Sequence, residues 1–212
     1  MTLRPALLLA SGALCACAAW GCGGGGSSSG PDQGALPPPT FAKTVNLSPV
    51  SGRISVELPA TSRFVGLSRA RQVPVGTLVE ARSGVVHLTA ATASPARFDS
   101  GDFQAGTFQV GQDPAEPGVT ELRIVDDEVA RRACGSAHST RVFGRMLGDA
   151  SGRFRTRGRF SDATVRGTNW GVRNRCDGTL TVVRRGTVVV TDLRRHRDFV
   201  VHAGQSFLAR AR

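Results

Sequence analysis

The segment GRFRTRGRF, residues 152–160, carries an arginine at every second position. In a β-strand this spacing directs the arginines to one face, about 6.6 Å apart, while Phe154 and Phe160 point to the other face. One interpretation is an anion-binding surface. The other, which we favour, is a solvated or ion-paired outer face of a strand whose phenylalanines lie in the core. The row consists of Arg153, Arg155, Arg157 and Arg159.

No other group of residues has the spacing of a known catalytic or metal site. The four histidines are far apart and form no HxH or HExxH pattern, and the sequence has no GxSxG motif. The acidic residues at 99–102 and 126–128 lack the graded oxygen spacing of a calcium loop. We therefore predict a protein that is not an enzyme and that has neither a metal nor a cofactor.

Binding of sugars or single-stranded nucleic acids uses exposed aromatic platforms. The sequence has no Tyr and two Trp, of which Trp20 lies in the N-terminal leader. Phe154 and Phe160 face away from the arginine row, so stacking and phosphate binding are not combined on one surface. We expect no nucleic-acid partner, and we expect Trp170 to lie in the core.

The net charge of +11 comes from the C-terminal part of the chain. Residues 1–130 contain nine Lys or Arg and eleven Asp or Glu, whereas residues 131–212 contain eighteen Arg and five Asp. Such a balance is compatible with an anionic partner. However, 26 of the 27 basic residues are Arg, a skew expected from a GC-rich genome, so composition alone is weak evidence for phosphate binding.

The N-terminus has the pattern of an export signal. One arginine, Arg4, precedes an apolar run too short to span a bilayer comfortably as a helix, and the LCAC segment that ends at Cys17 resembles a bacterial lipobox. We predict a signal peptide over residues 1–21 with lipidation at Cys17. Cys22 is the alternative, and an ordinary secretory signal is a third possibility.

A segment of low complexity follows the signal. Residues 22–40 are rich in Gly, Ser and Pro, a composition that predicts a tether between a lipid anchor and a folded domain. The predicted location is therefore outside the cytoplasm, on the outer face of the cell membrane or in the periplasm, with the membrane as a partner through the anchor.

Two cysteines lie beyond the tether, Cys134 and Cys176. In an exported chain, a pair without CxxC or histidine neighbours predicts a disulfide rather than a metal site. Closing a loop of this length is expected to stabilise the fold by about 3–4 kcal/mol in the chain-entropy model.

The remaining pattern is that of an all-β protein. Short β-rich runs are separated by Gly, Asp and Pro, which predicts a single β-sandwich, β-roll or small barrel of ten or more strands. We expect short hairpin-like links at 82–84, between TLVEA and GVVHLTA, and at 184–186, between TLTVV and TVVVTD. Residues 126–149 lack a period of two and predict an irregular or partly helical excursion.

Three segments in order, ATVRGTNW (163–170), DGTLTVVRRGTVVV (177–190) and VVHAGQSFLAR (200–210), resemble the core of FecR-like domains. The resemblance covers about residues 155–210 of a domain that we place at 41–212. It implies an all-β extracytoplasmic domain with a role in sensing or scaffolding. The cytoplasmic helical segment of FecR regulators has no counterpart in this sequence, so intracellular sigma-factor control is not implied.

The predicted function is that of a non-catalytic exported lipoprotein, active in envelope sensing, scaffolding or binding of an envelope protein. The alternative is a module that binds an anionic polymer or lipid headgroups through the Arg153–Arg159 face. A hydrolase whose site forms no sequence motif is the least favoured hypothesis.

Overall fold

The structure is a computed structural model that describes residues 36–135 and 139–211. It is nearly all β, with 62% of residues in strands and 3% in helix, which confirms the predicted fold class. The described residues belong to one compact unit. The strands are β1 (Thr44–Glu57), β2 (Val65–Gly66), β3 (Arg71–Pro74), β4 (Leu78–Ala91), β5 (Phe98–Gln104), β6 (Thr107–Gly111), β7 (Thr120–Ile124), β8 (Val142–Arg157), β9 (Ser161–Arg175), β10 (Gly178–Arg185), β11 (Thr187–Asp192), β12 (Arg197–His202) and β13 (Ser206–Arg210).

Five of the strands close into a small barrel in the order β4-β5-β8-β7-β6 and back to β4. All contacts are antiparallel except the β7–β8 pair. The barrel closes because two long strands are shared: the first part of β4 pairs with β6 and its second part with β5. β8 in the same way pairs first with β5 and then with β7.

The other strands extend the sheet on both sides of the barrel. β1 pairs with β4 and carries β2 and β3 on its outer edge. β9 pairs with β8 along most of its length, then with β11 through its first part and β10 through its second part. β12 and β13 lie on the far side of β11 and β10.

Aromatic side chains fill the barrel. Phe103 lies 5.2 Å from Phe154, 6.0 Å from Phe108 and 6.2 Å from Trp170, measured between ring centroids. Trp170 is 1% exposed, and its indole N–H donates to the Thr156 hydroxyl at 3.0 Å. The predicted core role of Trp170 is therefore confirmed, and its single polar atom is satisfied.

The predicted alternation along the arginine row is confirmed for Phe154, which is fully buried. Phe160 is only half-buried and lies in the turn after β8, where the Arg159 guanidinium is 5.8 Å from its ring centre. The prediction that both phenylalanines face the core is therefore wrong for Phe160, because β8 ends at Arg157 and the alternation ends with it.

The two predicted hairpin links are also wrong. Residues 82–84 lie inside one continuous strand, β4, where Gly84 is paired with Gly52 of β1. At Gly186, which has a φ of +80°, the chain continues from β10 to β11 along the same neighbour, β9. Both glycines mark bends in long strands instead of chain reversals.

The predicted excursion over 126–149 is shorter than expected. It contains a helix, α1 (Glu128–Arg132), whose N-cap residue Asp127 accepts hydrogen bonds from the backbone N–H groups of Val129 and Ala130 at 3.0 Å. Residues 142–149, however, belong to β8. Within the described part of the chain, no helix is long and apolar enough to cross a membrane.

A disulfide joins Cys134 to Cys176, as the sequence predicts. Cys134 follows α1 and Cys176 lies in the turn between β9 and β10, so the bond attaches the excursion to the sheet. The predicted signal peptide and lipidation candidates, Cys17 and Cys22, lie outside the described residues, as does most of the predicted tether over 22–40.

Candidate anion-binding groove

The structure divides the predicted arginine row into members with and without carboxylate partners. Arg155 contacts Glu116 and lies 4.0 Å from Glu121. Arg157 lies 3.5 Å from Glu121 and 3.8 Å from Asp162. These guanidinium groups are therefore compensated within the protein, as the ion-paired interpretation of the row expects.

Arg159 lies beyond the end of β8, in the turn before β9. Its guanidinium is 3.6 Å from Asp126, and its backbone N–H donates to the side-chain oxygen of Asn174 at 2.9 Å. The Asn174 amide in turn donates to Asp126 at 2.6 Å. Burial raises the pKa of Asp126 above its ordinary value, against the opposing effects of the Asn174 hydrogen bond and the Arg159 charge. Arg159 is thus part of a turn-fixing network.

Arg153 is the member of the row with a different environment. Its backbone N–H donates to Asp99 at 3.0 Å, and its residue position is directly opposite Arg166 of β9. Like charges in directly opposed positions of a sheet are destabilising. An anion bound between the two guanidinium groups would offset this repulsion.

A groove of about 560 Å³ adjoins Arg153 and Arg166. The loop between β4 and β5 contributes Arg97 to its lining, and the β6–β7 loop contributes Pro117 and Gly118. Arg97, Arg153 and Arg166 are all exposed. Among the described residues, no carboxylate oxygen lies within 4.0 Å of a guanidinium nitrogen of these three arginines. We call this feature the three-arginine groove.

Local backbone geometry holds the groove open. The Arg97 carbonyl accepts the Thr92 N–H at 2.9 Å, which closes the β4–β5 loop. Gly152 has a φ of +108°, and a Cβ at this position would lie 2.1 Å from a carboxylate oxygen of Asp99. Only glycine therefore lets Asp99 reach the Arg153 N–H. This contact fixes the strand bend that presents Arg153 to the groove.

A second groove, of about 440 Å³, has a different charge balance. Its lining includes Arg123, Arg155 and Arg157, but also Asp113, Glu116 and Glu121. The three arginines and three acids give no excess charge. Two members of the predicted row thus lie in a neutral groove, whereas Arg153 lies in a positive one.

A row of cross-strand polar residues was not expected from the sequence. His87 lies 2.6 Å from Asp102, and Asp149 pairs with Arg185 at 2.6 Å and accepts from Asn169 at 3.0 Å. In the described part of the chain, no hydroxyl group is hydrogen-bonded to His87. Nor do the described residues contain a group of three His, Cys, Asp or Glu side chains that could hold a metal ion. His87 is therefore a sheet residue with a carboxylate partner.

The sequence pattern did not single out Arg97 or Arg166. Arg166 belongs to the VRGT segment, and Arg97 follows a Pro-Ala turn, but neither position is distinguished by spacing. Their proximity to Arg153 depends on the β8–β9 register and on barrel closure, which bring residues 69 positions apart to one groove.

Comparisons with known proteins found no match: no family model, no curated protein and no solved structure is similar to this chain at the level required for significance. The resemblance to FecR-like domains over 155–210 therefore stays a prediction.

Proposed function

We propose that the protein is an exported, lipid-anchored and non-catalytic β domain that recognises an anionic group at the cell envelope in the three-arginine groove. The observation that carries the proposal is a set of three exposed guanidinium groups that have no carboxylate partner among the described residues, two of them at directly opposed positions of β8 and β9. Guanidinium groups bind phosphate and carboxylate oxygens with paired, charge-assisted hydrogen bonds.

Export is supported by two independent features. The N-terminal 22 residues have the pattern of a signal with a lipidated cysteine, and the Cys134–Cys176 bond is of the kind that persists in oxidising compartments. The FecR-like resemblance of residues 155–210 adds an expected role in sensing or scaffolding. Binding of an anionic partner is compatible with either role.

The proposed binding site includes only one end of the predicted arginine face. Arg155 and Arg157 already have carboxylate neighbours, so an incoming anion would have to displace Glu116 or Glu121. Among the described residues, no carboxylate lies within 4.0 Å of the Arg153 guanidinium, and Asp99, the acidic residue of this groove, is bonded to the Arg153 backbone N–H. Of the four predicted residues, Arg153 is therefore the one we assign to binding, together with Arg97 and Arg166.

The test uses inorganic polyphosphate as the probe and the chain shortened to residues 23–212, which contains the whole described compact unit with its own core and disulfide. Replacing Arg153 and Arg166 by Gln removes two charge-assisted contacts. We expect a loss of affinity of about 10–100-fold at 0.1 M salt and a weaker dependence of affinity on salt. Isothermal titration at several salt concentrations measures both.

A matched control exists on the same two strands. Arg145 and Arg173 are also directly opposed across β8 and β9, and both are exposed. Arg145→Gln with Arg173→Gln removes the same charge outside the three-arginine groove, and we expect it to change affinity by less than about threefold. Equal losses for the two double variants would show that the probe responds to net charge alone and would refute the groove as the site.

A further inference from the structure

The three-arginine groove lies at the end of the barrel where the chain enters the domain. The backbone N–H of Ala42 donates to the side-chain oxygen of Gln112 at 3.0 Å, and the Gln112 amide donates to the Ala91 carbonyl at 2.8 Å. Ala91 directly precedes Thr92, a residue of the groove. Gln112 thus ties the end of the predicted tether to the groove loop.

Several chain segments meet at this end. The β4–β5 loop and the β6–β7 loop both line the groove, and Gln112 begins the second of them with a further hydrogen bond to Thr120 at 3.0 Å. α1 and the disulfide belong to the segment that follows β7, at the opposite end of that strand. Ala42 and the three-arginine groove therefore lie at the same end of the barrel.

The β4–β5 loop, which supplies part of the groove lining, also carries exposed apolar residues. Phe98 directly follows Arg97 and is 45% exposed, and Ala93, Pro95 and Ala96 in the same loop are exposed as well. An exposed aromatic side chain beside basic residues is the combination that favours the interface between lipid headgroups and acyl chains. A soluble anion would gain nothing from Phe98.

The charge at this end has the sign that an anionic bilayer requires. The lining of the groove has three basic residues and one acidic residue, and the carboxylate of this acid accepts the Arg153 N–H. The basic residues are Arg97, Arg153 and Arg166, and the acidic one is Asp99.

We infer that the ligand of the three-arginine groove is the phosphate headgroup of anionic lipids in the membrane that carries the predicted anchor. This inference rests on the proposed function and names its ligand. The domain then docks on the bilayer with its chain-entry end, with phosphate in the groove and Phe98 at the interface. The anchor supplies the attachment, and the groove supplies the orientation.

The experiment measures sedimentation of residues 23–212 with vesicles of phosphatidylcholine alone or with 30% phosphatidylglycerol, at 0.1 M salt. We expect binding only to the vesicles that contain phosphatidylglycerol. Arg153→Gln with Arg166→Gln should weaken this binding about 30-fold, since each basic residue near an anionic surface contributes roughly fivefold. Arg97→Gln changes a single exposed residue and should weaken vesicle binding about fivefold. This variant is a second test of the same groove.

Phe98→Ser separates a lipid surface from a free anion. We expect it to weaken vesicle binding several-fold and to leave polyphosphate binding unchanged. The control pair Arg145→Gln and Arg173→Gln should change vesicle binding by less than about threefold, because these side chains lie outside the groove.

The outcomes distinguish this inference from the proposed function. Polyphosphate binding through Arg153 and Arg166 without binding to phosphatidylglycerol vesicles would overturn the lipid assignment and leave the anion groove standing. Binding to neither probe would overturn both. Vesicle binding that is insensitive to the Arg153 and Arg166 changes, or that falls equally with the control pair, would also overturn the lipid assignment.

Discussion

Asp162 carries a charge that the fold tolerates poorly. It is 9% exposed, and one of its carboxylate oxygens is buried without a hydrogen bond among the described residues. Burial raises the pKa of Asp162, and the Arg157 guanidinium at 3.8 Å opposes that shift only in part. The structural reason is its position: Asp162 is directly opposite Arg157 of β8 on one side and Thr191 of β11 on the other, so a strand covers it on both sides.

Asp162→Asn should stabilise the protein at pH 7. Because the pKa of the folded state is above the unfolded value, the unfolded chain ionises first as pH rises, and the free energy of unfolding falls until the raised pKa is passed. Asparagine has no such penalty. Urea unfolding should show a gain for the variant at pH 7 that shrinks as pH falls toward the ordinary Asp value.

The exposed residue Asp198, in a hairpin, gives a control for the change of charge. Asp198→Asn should show no comparable gain at pH 7. If Asp162→Asn instead lowered the free energy of unfolding at pH 7, the attraction between Asp162 and Arg157 would outweigh the cost of burial, and our assignment of the dominant effect would be wrong.

The arginine row shows which features of a residue are readable from sequence. The outward direction of Arg153 and Arg155 and the inward direction of Phe154 follow from a period of two, which is local. The ion-pair partner of each guanidinium does not follow from this period. Arg155 contacts Glu116, 39 residues away, because β7 and β8 pair in parallel. Charge compensation therefore depends on strand register, which a single sequence does not specify.

At the scale of elements, glycines explain why strands were predicted well and their connections less well. Four glycines with positive φ lie beside one another in neighbouring segments of the sheet. The sheet therefore bends along the line that they form. Gly–Thr and Ser–Gly pairs are equally common at hairpin turns. Whether such a glycine makes a bend within a long strand or a hairpin turn depends on the strands beside it. The four are Gly152, Gly167, Gly186 and Gly204.

Two bend glycines allow backbone strain to be separated from steric contact. Gly52 and Gly167 have nearly the same φ, +67° and +66°. A Cβ at Gly167 would meet nothing within 4 Å, whereas at Gly52 it would lie 2.1 Å from the Ser83 carbonyl oxygen. Gly167→Ala should cost about 1–2 kcal/mol, the strain of a left-handed residue. Gly52→Ala should cost a further ~1–3 kcal/mol, because β1 and β4 must separate.

Urea unfolding of both variants measures the difference, with the denaturant slope as a check that the unfolded states are alike. Equal losses would mean that β1 moves away from β4 at little cost. In that case the close approach of Gly52 to β4 is not a constraint on the sheet.

At the scale of the whole molecule, the distribution of charge along the chain predicted the proposed binding surface only in part. The C-terminal part carries the excess of arginine, and it supplies Arg153 and Arg166. The third member, Arg97, comes from the half with more acids than bases. Barrel closure places β5 between β4 and β8, and this brings the two halves together. The all-β class and the disulfide were predictable because they depend on local pattern and on cysteine count.

The predicted anchor would bring the three-arginine groove to a membrane, and its two candidate cysteines can be distinguished by an experiment in cells. We expect a fatty-acid analogue to label the wild-type chain and Cys22→Ser, and to be lost in Cys17→Ser, which should also move to the soluble fraction. The reverse pattern would assign the anchor to Cys22, and wild-type protein without label would indicate an ordinary secretory signal. Arg153→Gln with Arg166→Gln should keep both the label and the membrane fraction, because in our proposal these two arginines orient the domain and the acyl chains of the predicted anchor attach it.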